Sequence, residues 1–235
     1  MIEFKMSLAD VGIAVSCNFD STKIYCKDYL FDGKCRYQVS IRQEDIEFER
    51  ENDEFHASDA FLETLSLLRK CADLLIDEDV LLFHSSALEM DGKAYIFTAR
   101  SGTGKSTHSR MWREFFSDRQ IHMVNDDKPF VKIKDDIMVY GDPWKGKELL
   151  GENRKAPVKA ICFLKQGKVN KIQKMDEKRV LEKLMMQTYR PVDKKKLIKT
   201  ITLLKKMTSR IPVYEMSCTI SHDAAKMAYE YMNEE

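Results

Sequence analysis

The chain has 235 residues, 43% hydrophobic and 33% charged, which suits one large globular domain, or one domain with a small appendage, and argues against wholesale disorder. Lys and Arg number 39 against 38 Asp and Glu, a net charge of +1, so no global basic excess points to nucleic acid. No apolar run approaches the roughly 20 residues that a membrane-crossing helix needs, and the opening MIEFKMSLADVG carries charges where a secretory signal would be apolar. The six cysteines (Cys17, Cys26, Cys35, Cys71, Cys162 and Cys218) are scattered without C-x-x-C spacing. They are expected to be reduced thiols of a cytoplasmic protein, neither disulfides nor sulfur ligands for a metal.

Residues 1–56 read as a small β-rich element. Ile2 to Met6 and Tyr37 to Ile41 alternate, and Val11 to Cys17 is mostly apolar. An acidic stretch, Glu44 to Glu54, reads as a solvated connector. A second domain is expected over 57–235. It opens with an amphipathic helix from about Ser58 to Asp77, carrying Phe61, Leu65, Leu68 and Ala72 on one face. Val80 to Met90 then reads as one strand and Lys93 to Ala99 as the next. Asp91-Gly92 between them signals a hairpin, because a type I′ turn needs positive φ at both central residues. Beyond a Gly-rich loop comes a helix with Met111, Trp112, Phe115 and Phe116. Short strands follow at His122–Val124, Phe130–Ile133, Ile137–Tyr140 and Val158–Leu164. Helices about 177–188 and 194–207, a strand from Val213 and a final helix from Asp223 complete an α/β chain.

Ala99-Arg100-Ser101-Gly102-Thr103-Gly104-Lys105-Ser106-Thr107 fits the phosphate-loop pattern, with Ala in place of the first Gly. Glycines let successive backbone N–H groups converge on phosphates, and the following helix adds the positive end of its dipole. In such a loop Lys105 reaches the β- and γ-phosphates and the Ser106 hydroxyl ligates Mg²⁺. Ala at the first position is accommodated as long as its φ stays negative. With Asp91 and Gly92 at the turn, the hairpin register carries His84 across from Ala99, at the mouth of this loop. Ile121 to Asp127 is a second short apolar run, and it ends in two carboxylates, Asp126 and Asp127. Such a pair permits a division of labour: one acid toward the metal ion, the other accepting a proton from an attacking hydroxyl.

In this order, His84, the Ser-Gly-x-Gly-Lys-Ser loop and the twin acids resemble the catalytic core of HPr kinase/phosphorylase, which shares its nucleotide-binding fold with the phosphoenolpyruvate carboxykinases. The resemblance is specific from about Leu82 to Asp127 and looser to about Leu164. It is closer still to HPr-kinase-related bacterial proteins with segments like Ser101–His108, Asn125–Pro129 and Gly141–Lys147. It implies a P-loop core with a mixed sheet, ATP and Mg²⁺ as cofactors, and a serine of a small protein or peptide as acceptor. It also implies Asp126 as proton acceptor supported by His84, Lys105 on the phosphates, and Ser106 and Asp127 on the metal. Thr107 stands where those kinases usually have Glu, and their Glu-Val-Arg-Gly-type signature is not visible, which leaves Asp142 a weak second metal carboxylate.

Rival readings are a small-molecule kinase or carboxykinase-like enzyme, and a nucleotide-gated binding module with little turnover. A nucleic-acid-stimulated ATPase is disfavoured by the near-zero charge, and neither nucleic acid nor membrane is an expected partner. Self-association into a homo-oligomer is left open. Pro143-Trp144-Lys145-Gly146-Lys147 reads equally as an anion-binding loop and as a turn with a buried tryptophan. The lysines of Arg190 to Arg210 read as the solvated face of a packed helix, with a docking surface for an acidic partner as the sharper alternative.

Overall fold

A computed structural model describes residues 1–54 and 56–234, with the backbone alone at Glu177. They form two compact units, Met1–Leu75 and Ile76–Glu235.

In the first unit, strands β1 (Ile2–Leu8) and β2 (Val11–Cys17) form an antiparallel hairpin, and β3 (Tyr37–Ser40) lies parallel to β2. Phe4, Met6, Leu8, Val11, Ile13 and Val15 are all buried. This is the alternation of a half-buried sheet. Helices α1 (Asp20–Tyr25), α2 (Gln43–Glu51) and α3 (Asp59–Leu75) complete the unit. The acidic stretch expected to be a connector is mostly helix. Its Asp45 carboxylate accepts the Arg42 N–H at 2.9 Å and the Lys70 ammonium at 2.5 Å, and Ile46 is fully buried. Net charge hid a local cap and a buried anchor. Helix α3, expected with the second domain, belongs to this unit. Its buried Glu63 accepts from the Asn18 N–H, the Asn18 amide, the Phe19 N–H and the Thr22 hydroxyl at 2.6–3.0 Å. A buried carboxylate is tolerable when its lone pairs are met in this way, and those donors all come from residues 18–22.

The second unit is an α/β fold on a mixed nine-stranded sheet. Its strands are β4 (Val80–Leu82), β5 (Ser86–Met90), β6 (Lys93–Thr98), β7 (Ile121–Asn125), β8 (Phe130–Ile133), β9 (Ile137–Tyr140), β10 (Lys155–Gln166), β11 (Lys171–Lys174) and β12 (Val213–Cys218). The order is β4-β8-β9-β10-β6-β5-β7, with β12 also on β10 and β11 on β12. The start of β10 pairs antiparallel with β9; the rest runs parallel between β6 and β12. Both faces are covered, so the central strands are apolar throughout. Ile96, Ile161 and Phe163 face α5 (Glu177–Gln187) and α6 (Lys194–Thr208), packing with Leu184, Leu203 and Leu204. Tyr95, Phe97, Cys162 and Leu164 face α4 (Lys105–Phe115) and α7 (His222–Asn233), packing with Trp112, Ala225 and Met232.

The hairpin turns at Asp91 (φ 55°) and Gly92 (φ 72°), and the ladder runs from Met90–Lys93 to Ser86–Phe97 in the expected register. The run 80–90 is two strands, not one. At Phe83, His84 and Ser85 the backbone N–H groups turn aside to the carbonyls of Pro129, Gln187 and Asp127. β4 therefore pairs with β8 while β5 stays with β6 and β7. On α6, Thr200, Leu203, Leu204 and Met207 are buried, while Lys194, Lys195, Lys205 and Lys206 are exposed. Lys199 pairs with Asp79 at 2.9 Å and Lys196 with Asp77 at 3.7 Å. Among the described residues no helix is long and apolar enough to cross a membrane. Among the described residues the cysteines form no disulfide, and burial pushes the thiols of Cys71 and Cys162 far up, which disfavours either as a nucleophile.

Candidate functional site

Strand β6 ends at Thr98, whose hydroxyl donates to the His84 carbonyl at 2.9 Å. The backbone then turns through residues 99–104 into α4. Ala99 keeps a negative φ, while Gly104, the residue that caps α4, has φ 111°. A side chain at Gly104 would strain this entry, so the loop's second glycine is a conformational requirement. Arg100, Ser101 and Gly102 are exposed; Ala99 and Lys105 are buried.

Lys105 folds back under the loop. Its ammonium donates to His84 Nε2 at 3.1 Å and approaches the Ala99 carbonyl at 3.4 Å. The other ring nitrogen of His84, Nδ1, is 3.1 Å from Gln187 Oε1 at the end of α5. Burial, then the Lys105 charge, holds the His84 pKa below its ordinary value; Asp127 opposes the shift. Burial also lowers Lys105, against the pull of Asp127 and Asp126. The 3.7 Å approach of His84 Nε2 to Asp127 Oδ1 is thus a carboxylate beside a neutral ring at neutral pH. Asp127 also meets the Lys128 ammonium at 3.2 Å.

Asp126 occupies the other side. It is 6% exposed, and its Oδ1 has no hydrogen-bond partner. Burial raises its pKa, and hydrogen bonding from Ser86 and Ser106 holds part of the rise back. The Ser86 hydroxyl lies 2.6 Å from that of Ser109. His84, Lys105, Ser106, Asp126 and Asp127 therefore gather around the start of α4. Arg100, Ser101, Gly102, Thr103 and Thr107 lie along the same loop and first helical turn.

Sequence reasoning missed Asn125 and took Asp142 only as a weak second metal carboxylate. Asn125 is fully buried and bonded at both ends of its amide. Its Oδ1 accepts from the Asp127 and Lys128 N–H groups at 2.8 and 2.9 Å, and its Nδ2 donates to Asp142 Oδ1 at 3.1 Å and to the Trp144 carbonyl at 3.2 Å. Asp142 Oδ1 also accepts from the Trp144 N–H at 2.9 Å. The segment 141–147 therefore braces the twin acids from behind. Gly146, at φ 75°, passes so close that a Cβ there would stand 3.1 Å from that of Asp127. Trp144 is buried, as a turn tryptophan would be. The Asn-Asp-Asp-Lys-Pro and Gly-Asp-Pro-Trp segments were the available signal; that one side chain joins them was not readable.

Among the described residues there is no group of three or more His, Cys, Asp or Glu side chains that could hold a metal ion by itself. The donors present are all oxygen: the Ser106 hydroxyl, Asp127 and the unpartnered Oδ1 of Asp126. That set fits Mg²⁺, which takes one or two protein oxygens and keeps water and phosphate for the rest. Asp142 is fully buried, with Oδ1 engaged by Asn125 and Trp144 and Oδ2 without a hydrogen-bond partner, and it braces the acids.

No family model matches the chain, and no curated protein matches it in sequence. Among solved structures it is similar to the Hpr(Ser) kinase/phosphatase from Coxiella burnetii, at 14% identity and a TM-score of 0.36, over 64% of this chain and 95% of that one. A likeness of that degree assigns no activity to this chain.

Proposed function

We propose that the second unit is a P-loop phosphotransferase of HPr-kinase type that moves the γ-phosphoryl group of ATP to a hydroxyl, with a serine of a small protein or peptide as the first choice of acceptor. The observation that carries this reading is the free, buried Oδ1 of Asp126 beside Ser106 and Lys105. A base needs an unoccupied lone pair and a pKa drawn toward neutrality, and burial supplies both here.

The loop N–H groups and the dipole of α4 receive the polyphosphate, and Lys105 neutralises its charge. Ser106 and Asp127 are the residues to hold Mg²⁺, which when bound neutralises phosphate charge and aligns the reacting oxygens. The acceptor hydroxyl gives its proton to Asp126 as its oxygen bonds to the γ-phosphorus. The bond from that phosphorus to the β-bridging oxygen breaks, and ADP leaves. His84, held neutral, takes the Lys105 hydrogen bond and keeps the ammonium aimed into the loop.

The test is incubation with γ-labelled ATP and Mg²⁺ in a lysate of the source cell, followed by location of the label. Asp126→Asn should abolish transfer while sparing ATP binding, and Lys105→Ala should weaken both. Retained transfer in Asp126→Asn removes the assigned base; ATP hydrolysis with no labelled product favours a nucleotide-gated binding module.

A further inference from the structure

Helix α6 carries a charge pattern that its packing does not account for. Its 15 residues, Lys194–Thr208, include no Asp or Glu, and Lys194, Lys195 and Lys196 fill the first turn. The positive end of a helix dipole disfavours cations there. One carboxylate, Asp193, caps the helix by accepting the Lys196 N–H at 2.9 Å, and Lys196 and Lys199 pair with Asp77 and Asp79. Lys194, Lys195, Lys205 and Lys206 are exposed and have no ion pair among the described residues. None of these four has an acid three or four residues away, so none gains the pairing that usually steadies a solvated helix face.

The four lysines share one face with Ile198. At 3.6 residues per turn, Lys194, Lys205, Ile198, Thr202, Lys195 and Lys206 fall in that order across about 120° of the helix surface. The buried Thr200, Leu203, Leu204 and Met207 lie opposite. Ile198 is 65% exposed and stands between the two lysine pairs. Along the axis the pairs are separated by three turns, roughly 16 Å at 1.5 Å per residue. An extended chain covers that span in about five residues at about 3.3 Å each. Such a face complements two acidic clusters with an apolar residue between them. Nucleic acid is served less well, since no aromatic, Gly or Arg side chain of α6 interleaves with the lysines. A membrane surface would want the broad apolar stripe that here is buried.

We propose that this face docks an extended acidic segment of a partner protein, in which an apolar side chain stands between two clusters of Asp or Glu. The apolar side chain covers Ile198, one cluster meets Lys194 and Lys195, and the other meets Lys205 and Lys206. No nucleotide enters this contact, so it stands or falls apart from the phosphotransferase reading.

The test is fluorescence anisotropy of the full chain with a labelled peptide, Glu-Glu-Ala-Leu-Ala-Glu-Glu, in the absence of ATP. Binding should saturate at low ionic strength and weaken by roughly tenfold or more at about 1 M salt, where the Debye length is about 3 Å. Lys194→Glu combined with Lys195→Glu puts acids where the helix dipole favours them, so the fold is spared while affinity falls by roughly tenfold or more. Ile198→Ser should cost roughly threefold, and so should an isomer of the peptide with its Leu at one end, because each loses the apolar contact. No saturable binding, unchanged affinity in either variant, or equal affinity for the isomer overturns the proposal. So does tighter binding, through the same lysines, to phosphatidylserine vesicles, to poly(U) or to a second copy of the chain, which would assign the face to a membrane, a nucleic acid or self-association.

Discussion

The Lys105 ammonium donates to His84 Nε2 at 3.1 Å, and this fixes the tautomer of the ring. With Nε2 as acceptor, the proton resides on Nδ1 and is donated to Gln187 Oε1, 3.1 Å away. A second proton would place two cations in contact, which agrees with the Lys105 charge adding to burial in lowering the His84 pKa. Gln187→Glu puts a carboxylate where Nδ1–H points and favours the doubly protonated ring. The sign follows: the His84 pKa rises, the neutral ring is lost at a higher pH, and the acidic limb of kcat/KM moves upward. A shift of about half a unit to one unit is expected from a partly exposed charge. A pH–rate profile with the limb unmoved would remove His84 from the working site.

Asn125 carries the geometry of the acids. Asn125→Ala leaves the Asp127 and Lys128 N–H groups without their acceptor and Asp142 Oδ1 with the Trp144 N–H as its remaining donor. Buried groups stranded in this way cost about 1–3 kcal/mol each, so urea denaturation should show a loss of about 2–4 kcal/mol. Because Asn125 touches neither the loop nor Lys105, ATP affinity should change little while kcat falls by roughly tenfold or more, a misplacement effect. A fall in affinity equal to that in kcat would mean general collapse, not positioning.

Much of this was legible in the residues. Asp91-Gly92 set a register that the ladder follows to Ser86–Phe97, and local turn chemistry of this kind needs no tertiary information. The turn from β6 into α4 was equally plain, because its glycines and lysine are adjacent in the chain. Phe83 to Ser85 was not: the apolar run continues while the backbone hydrogen bonds change partners, and pattern sees only the side chains. Gln187 lies 103 residues from the His84 it orients, and no periodicity reports such a pair. The α2 helix was hidden by its acids, since the cap at Asp45 and the single buried Ile46 weigh little against a run of like charges.

Asp142 presents a different sign. Its Oδ1 is engaged twice, its Oδ2 has no partner, and burial raises its pKa well above the usual carboxylate value. The folded chain keeps a proton there that the unfolded chain releases, so this residue's contribution falls as pH rises above the ordinary carboxylate range. Asp142→Asn keeps the acceptor and cannot ionise. Its melting temperature should equal or exceed that of the parent at pH 8, and the difference should fade toward pH 4, about the pKa of a free carboxyl. A variant that is less stable at every pH would show that the residue works as a carboxylate.

His108 titrates in the opposite sense. It is 3% exposed, packs edge-on against Phe97 at 4.6 Å, and accepts the Trp112 indole N–H at 3.1 Å. Burial alone takes its pKa down to about 4. Below about pH 6.5 the unfolded imidazole takes a proton that the folded one refuses. Stability at this residue is therefore full above that pH, is lost as pH falls toward 4, and changes no further below it. The loss is on the order of 3 kcal/mol at about 1.4 kcal/mol per unit. His108→Gln retains an acceptor for Trp112 and removes the titration. Urea denaturation of both proteins at pH 7 and pH 4.5 should show the parent losing more than the variant, by about 2–3 kcal/mol. The subtraction cancels the carboxylates, which titrate alike in both. Equal losses would mean that the ring accepts its proton in the folded state, and that the contact between α4 and β6 is looser than the packing of His108 between Phe97 and Trp112 requires.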